Sequence, residues 1–463
     1  MEKDDAIMIN FNSLKMVLLL AVPVIIENFL QVLLGMTDTY FVSKISGEAI
    51  GAVGMTNLFM NVLIAFFIAI GTGTVALTAR AYGGGEKQKV SHIGTQAIAL
   101  SLYVGIGFGL FLYLFSDGVL TVLGARGSML TLARVYFRVV AVPSVALSLL
   151  MVVSNLFRAI GNTKIPLKVG VVMNILNILL DVLLIFGWGP IPGLGILGAG
   201  IATTLSRVFA AGLLLYLWIR DQHQPGVESC WKDYLLLKGN APRGILSIGM
   251  PAGVEKLFMR FGQLLYGWMI IKIGTADYIG HNIAGTIESV SYLPAMGFGV
   301  AASTLVGQHL GAKDHKKAVQ DGWSAFLMGS LFMILIAQVF FFGGEWLAMQ
   351  YSQDPIVISK VRTVLKLIAL FQPFLCSTVV ISSALQGAGE TRFPMYLTVI
   401  GIWGIRIVGV YVLGIRFGWG LLGVWISYAT DIVFRGSLLL WYYGKGEWKK
   451  IKLPEISMGE SSH

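Results

Sequence analysis

Apolar runs of about 20 to 28 residues recur along the whole chain, each long enough to cross a hydrocarbon core of about 30 Å as a helix. Lipid offers the backbone no hydrogen bonds, so runs of this length must fold as helices that satisfy their own N–H and C=O groups. There are about twelve. The first six cover roughly 14–42, 50–79, 90–115, 129–157, 165–186 and 195–219; the second six cover roughly 242–273, 279–308, 318–342, 356–385, 393–415 and 420–443. With 56% hydrophobic and 13% charged residues, the composition leaves no soluble domain of ordinary balance.

The net charge of +10 would suit a nucleic-acid partner, but the basic residues sit in alternate loops. Arg80, Lys87, Arg158, Lys164, Arg220, Lys238, Arg243, Lys313, Lys316, Lys445 and Lys449 fall on one side, whereas the opposite loops hold Lys44, Arg126 and Arg416. The positive-inside rule then places both termini in the cytoplasm, and no nucleic-acid partner is expected. The first apolar run is too long for a cleavable leader and follows the mixed charges Glu2, Lys3, Asp4 and Asp5, so it is expected to be the first spanning helix. Cys230 lies in an expected cytoplasmic loop and Cys376 inside a helix, so they are not expected to pair.

The chain also repeats itself. Residues 71–83 align with 299–311 and 154–166 with 382–394, both at one offset (299 − 71 and 382 − 154, each 228), and Pro23 and Glu27 fall on Pro251 and Glu255 at the same offset. Residues 195–201 resemble 420–426 at 225. An even number of spans separates equivalent points, so the halves are parallel repeats about an axis along the membrane normal. The expected architecture is all-α and polytopic: a six-helix lobe over 1–222, a cytoplasmic linker over 223–241 and a second six-helix lobe over 242–463. Two lobes around a central cleft provide the mechanical basis of alternating access.

An ionisable side chain at mid-membrane costs about 2.5 to 3.5 kcal/mol on insertion scales, so each one retained there needs a reason. Asp38 lies about one turn from the outer end of the first helix, and Asp181 is similarly placed in the fifth. Asn174, Asn177 and Asp181 follow i, i+3, i+7 spacing, which puts two amides and a carboxyl on one helical stripe. Tyr136, Thr203 and Asn155 are weaker candidates for the same pocket. At the repeat offset Asp38 becomes Tyr266 and Asp181 becomes Gly409, so the carboxyl pair belongs to the first lobe alone. Such a pair, protonated, has little hold on a cation and, deprotonated, attracts one; competition at one site is sufficient for antiport. Glu27 and Glu255, near cytoplasmic helix ends, read as structural or gating groups, and Arg260, Glu288, Arg406, Asp431 and Arg435 as second-lobe candidates, with Arg406 and Asp431 able to pair. The plain alternative for every one of these groups is a satisfied polar contact that locks helices together.

Pro23 followed by Asp38 in MTDTYFVSKIS, and the paired loops RAIGNTKIP and QGAGETRFP, resemble the multidrug and toxic compound extrusion transporters over nearly the whole chain. Among their branches the pattern is most similar to the DinF-like prokaryotic group. That resemblance implies a secondary active exporter of cationic and amphipathic organic compounds in the prokaryotic inner membrane, working as a monomer against inward proton flow, with sodium left open. It implies the cation site at Asp38, Asn177 and Asp181, and neither an enzyme activity, a resident metal nor a cofactor. The stretches comparable to the second-lobe acids of the NorM-like branch read GVEKLFMRFGQ, where Glu255 lies about a turn early, and FQPFLCSTVV, which has no acid. The alternative within the same superfamily is a lipid or lipid-linked precursor flippase, which should line its cleft with basic residues. No HExxH motif or nucleophile triad points to an embedded enzyme.

Overall fold

A computed structural model describes residues 10–188, 191–222 and 231–457. The chain runs through α1 (Phe11–Ser43), α2 (Gly47–Gly83), α3 (Lys87–Val122), α4 (Gly127–Val140), α5 (Ser144–Ala159), α6 (Lys164–Phe186) and α7 (Ile196–Gln222). It continues through α8 (Ala241–Ile273), α9 (Thr275–Gly311), α10 (His315–Met349), α11 (Pro355–Ala388), α12 (Arg392–Arg416) and α13 (Gly420–Lys445). One two-residue antiparallel pair, β1 (Gly187–Trp188) with β2 (Ile191–Pro192), closes the turn after α6. Residues 223–230 of the expected linker, Cys230 among them, lie outside the described residues, and Cys376 is a free, buried thiol.

Among the described residues, nine helices are long and apolar enough to cross a membrane. The expected run 129–157 is broken: α4 and α5 meet at Pro143 with a 46° bend, and counted as one span they make a tenth. Proline has no N–H to continue the ladder, which accounts for the break. Two further helices are long enough, α8 with 33 residues and α13 with 26, but are interrupted by charge. Arg243, Glu255, Lys256, Arg260 and Lys272 fall in the first of these, and Asp431, Arg435 and Lys445 in the second. Large apolar side chains face outward along whole helices, as Leu331, Leu335, Val339, Phe342 and Trp346 do on α10, the pattern expected where lipid is the solvent. α12 departs from regular winding, since Ile400–Arg406 and Val410–Arg416 are wound as π-helix.

Packing divides the chain into two compact lobes, at places other than the expected 1–222 and 242–463. Among the described residues, one lobe holds those of Ile26–Met250 and of 454–457; the other holds Pro251–Leu453 and 10–25. The opening half of α1 therefore packs with the second repeat and the opening third of α8 with the first, and the exchange falls at Pro23 and Pro251, both inside helices. Small residues allow it. In the first lobe, a Cβ on Gly249 would meet the carbonyl of Ala69, and one on Gly73 would meet the carbonyl of Ile245. In the second lobe, a Cβ on Gly297 would lie 2.9 Å from the carbonyl of Ala21. Ala21 and Gly249 are equivalent in the repeat, as are Ala69 and Gly297, so one close helix crossing is built twice.

Gly249→Val is expected to lower the thermal unfolding midpoint well below the parent, because the obstructing atom is backbone and cannot swing aside. The same change at Gly212, whose Cβ would meet nothing within 4 Å, is expected to leave the midpoint near the parent value. A thermal scan of the detergent-purified variants compares the two.

Candidate functional site

The polar stripe expected on α6 is present. Asn174, Asn177 and Asp181 are buried, at 7%, 1% and 1% exposure, while Ile175, Leu179 and Val182 between them face outward. Helical spacing alone produces this split. Asp38 reaches the same place from the last turns of α1, beyond Gly35 and between Thr37 and Thr39, whose hydroxyls donate to the carbonyls of Leu33 and Gly35 one turn back.

Asn177 is the centre of the arrangement. With its amide oriented by its neighbours, the nitrogen donates to Asp38 Oδ1 at 3.0 Å and Asp181 Oδ2 at 3.3 Å, while the oxygen accepts from Thr203 N at 3.3 Å. The Asp38 and Asp181 carboxyls are themselves in hydrogen-bonding contact. Two carboxyls can touch in this way only with a proton or another cation between them. Tyr136, 5% exposed on α4, lies within hydrogen-bonding reach of the Thr203 side chain and within electrostatic reach of both aspartates. All belong to the first lobe, and the structure brings Tyr136 and Thr203 beside Asp38, Asn177 and Asp181.

Arg207 was not anticipated. It sits one turn beyond Thr203 on α7, interacts electrostatically with Asp38 and Tyr136, and leaves its buried Nη1 without a hydrogen-bond partner. The signal was available: Thr203 and Arg207 are four residues apart and share a helical face. The buried Oδ1 of Asn174 also has no partner, which leaves a second polar atom on the stripe one turn from Asn177.

Asn155 does not join this site. It abuts Gly71 on α2 and accepts from Arg158 Nη1 at 3.4 Å. On a helix rising about 1.5 Å per residue, the stretch from Tyr136 to Asn155 carries the chain most of the way through the bilayer. Asn155 belongs instead to an ion pair in which Arg158 Nη2 donates to both carboxylate oxygens of Glu27 at 2.8 Å. Glu27 lies four residues past Pro23, just inside the first lobe. Its repeat partner Glu255 lies four residues past Pro251, with Gln386 where the first lobe has Arg158. Gln386 Nε2 donates to Glu255 at 3.3 Å, the Thr398 hydroxyl at 3.2 Å, and Lys256 Nζ stands 3.7 Å away. Arg260 faces outward and donates to Gln263 on its own helix, so the structure gives it no place with the other candidates.

A family model, MatE, matches the chain twice, over residues 23–183 and 251–412. The chain belongs to the MatE family. The two matches begin at Pro23 and Pro251, at the repeat offset, and together cover well over half of the chain. It is 33% identical over 436 residues, 93% of this chain and 92% of the other, to a protein of Thermotoga maritima described as "Probable multidrug resistance protein NorM". It is 26% identical over 421 residues, 90% and 91% of the two chains, to the "Uncharacterized transporter YisQ" of Bacillus subtilis. Its fold matches a structure titled "Outward-facing conformation of a multidrug resistance MATE family transporter of the MOP superfamily" with TM-score 0.86, covering 97% of this chain and 99% of that one at 21% identity. A Pyrococcus furiosus MOP superfamily transporter, whose title reports a binding pocket of reversed polarity, matches equally at TM-score 0.86, 21% identity and the same coverage of both chains. The family is one of membrane transporters, and its multidrug members support an efflux role for this chain rather than an enzymatic one.

Removing the cation beside a buried carboxylate leaves that charge without compensation. Arg158→Leu is expected to cost about 3–5 kcal/mol of stability, and Glu27→Leu added to it to recover most of the loss. Thermal or denaturant unfolding of the two variants beside the parent gives the comparison.

Proposed function

We propose that the protein is a proton-coupled antiporter that exports organic cations, with the Asp38–Asn177–Asp181 cluster as the coupling site. The observation that carries this reading is the pair of contacting carboxyls held by one amide. Two acids in contact can hold one proton or one monovalent cation between them, and the two occupants exclude each other. Asn177 serves either occupant, because its amide donates to the carboxylates and leaves their outer lone pairs to the cation. Tyr136 and Thr203 supply further oxygens, and Arg207, within reach of Asp38, sets the charge against which an entering cation is balanced.

In the outward-facing state a proton from outside protonates the pair and releases the cationic cargo; in the inward-facing state the pair gives that proton to the cytoplasm and regains its hold on the next cation. A membrane potential adds about 2.3 kcal/mol per charge per 100 mV to the inward drive on the proton. The cargo is an amphipathic organic cation, the membrane is the prokaryotic inner membrane with both termini in the cytoplasm, and one chain is the working unit. The DinF-like branch rests on the same three residues. Sodium in place of the proton would use the same oxygens. A lipid flippase would need basic groups to receive an anionic headgroup, whereas Arg406 and Arg435 both donate to Asp431.

Reconstituted in liposomes under an imposed pH gradient, the parent is expected to move a lipophilic cationic dye, and Asp38→Asn and Asp181→Asn each to lose at least about tenfold in rate, the loss expected for removing a hydrogen-bonded charge at a site. Efflux that survives both substitutions, or that follows a sodium gradient alone, defeats the proton-coupled reading.

A further inference from the structure

The repeat lets the second lobe be read position by position against the cation site of the first. Asp38, Asn177 and Thr203 meet in the first lobe. At the repeat offsets their counterparts are Tyr266 (266 − 38, 228), Arg406 (within one residue of 177 + 228) and Tyr428 (428 − 203, 225). These three also meet: the Arg406 guanidinium lies 4.1 Å from the Tyr428 ring centroid and 5.7 Å from that of Tyr266. The one-residue discrepancy falls where α12 is wound as π-helix, which takes up an extra residue within a turn. The same three positions therefore form a pocket in both lobes, carrying an acid, an amide and a hydroxyl side chain in one and occupied by a cation in the other.

The second-lobe cation is firmly held. Arg406 Nε donates to Asp431 Oδ2 at 2.9 Å and its Nη2 donates to the same oxygen, while Arg435 Nε donates to Asp431 Oδ1 at 2.7 Å. Arg406, Asp431 and Arg435 are exposed by 4%, 0% and 7%. One carboxylate against two guanidiniums leaves an excess positive charge, and Glu288, buried and within electrostatic reach of Arg406 and Tyr428, is the acid available to balance it. The counterpart of Asp181 is Gly409 at the offset of 228 and Val410 once the extra residue of α12 is counted, and neither is an acid.

We infer that Arg406 is a tethered cation filling the second-lobe counterpart of the first-lobe cation site, so that this site is permanently occupied and cation exchange is confined to one lobe. A guanidinium suits the task because it keeps its proton in any protein environment and is planar, so one edge meets Asp431 while its face covers Tyr428. Only the contrast with an exchangeable cation in the first lobe depends on the antiport reading; occupancy of the second-lobe site stands apart from it.

Arg406→Ala empties the pocket while leaving Asp431 paired with Arg435. Methylguanidinium, a free copy of the missing group, should then bind this variant; at 100 times its Kd it multiplies the folded-to-unfolded ratio about 100-fold, read as a rise in Tm in detergent. The parent should show no rise, and N-methylurea, the uncharged isostere, should act on neither. Equal responses of parent and variant, an equal effect of N-methylurea, or a folded variant that ignores methylguanidinium overturns the inference. Should Arg406→Ala not fold, Arg406→Lys and Arg406→Met decide the matter: a tethered charge predicts a Tm closer to the parent for Lys, and a Met variant as stable as Lys or more so overturns it. None of these readouts uses Asp38 or Asp181, so a failed antiport reading would not mimic a failure here.

Discussion

A charge inside hydrocarbon must be neutralised at its own depth, because no solvent is there to do it. The polar interior of this protein consists of the solutions to that problem. Glu27 takes Arg158, Asp38 and Asp181 take each other through Asn177, and Asp431 takes two arginines. The first two tie together helices distant in sequence and the third ties α12 to α13, so the same contacts that make the charges tolerable also fix which helices are neighbours. Between them the packing is made of small residues, aliphatic side chains and buried aromatics such as Phe67, Phe137 and Trp218.

Duplication has given these solutions two histories. At the paired glutamates Glu27 and Glu255 one copy keeps a full ion pair, and the other replaces the arginine with Gln386 and distributes its carboxylate over an amide, a hydroxyl and a lysine 3.7 Å away. At the paired polar sites the divergence is sharper, from two acids and an amide to a guanidinium between two tyrosines. Pseudo-symmetric lobes are thus alike in backbone and opposite in charge where it matters most. This difference is visible in the side chains alone.

Much of this was legible in the sequence. Apolar run lengths fixed the spans, and the 228-residue offset exposed the repeat. The spacing of Asn174, Asn177 and Asp181 identified the buried stripe, since a helix permits only one face to be polar in lipid. Charge is what blurred the reading of spans: α8 and α13 are long but interrupted by acids and bases that their partners neutralise only in three dimensions. Asn155 was misplaced because its helix is continuous in hydropathy with Tyr136, although the axial rise separates the two. Arg207 was overlooked because a single arginine near the middle of an apolar run offers no periodic signal, only its spacing from Thr203. The π-winding of α12 left no mark beyond a one-residue slip in the repeat.

The exchange of opening helix segments between lobes was equally hidden, since both halves of the repeat carry the same matched alanines and glycines and cannot say which copy meets which. It has a consequence for how the chain is made. The arm before Ile25 leaves the ribosome first, yet the glycine it packs against is Gly297, some 270 residues later by the numbering. The first lobe, in turn, is completed only when the opening turns of α8 arrive. Neither lobe can therefore close from its own half of the message, and each must wait in the bilayer, with one seam open, for a piece encoded in the other.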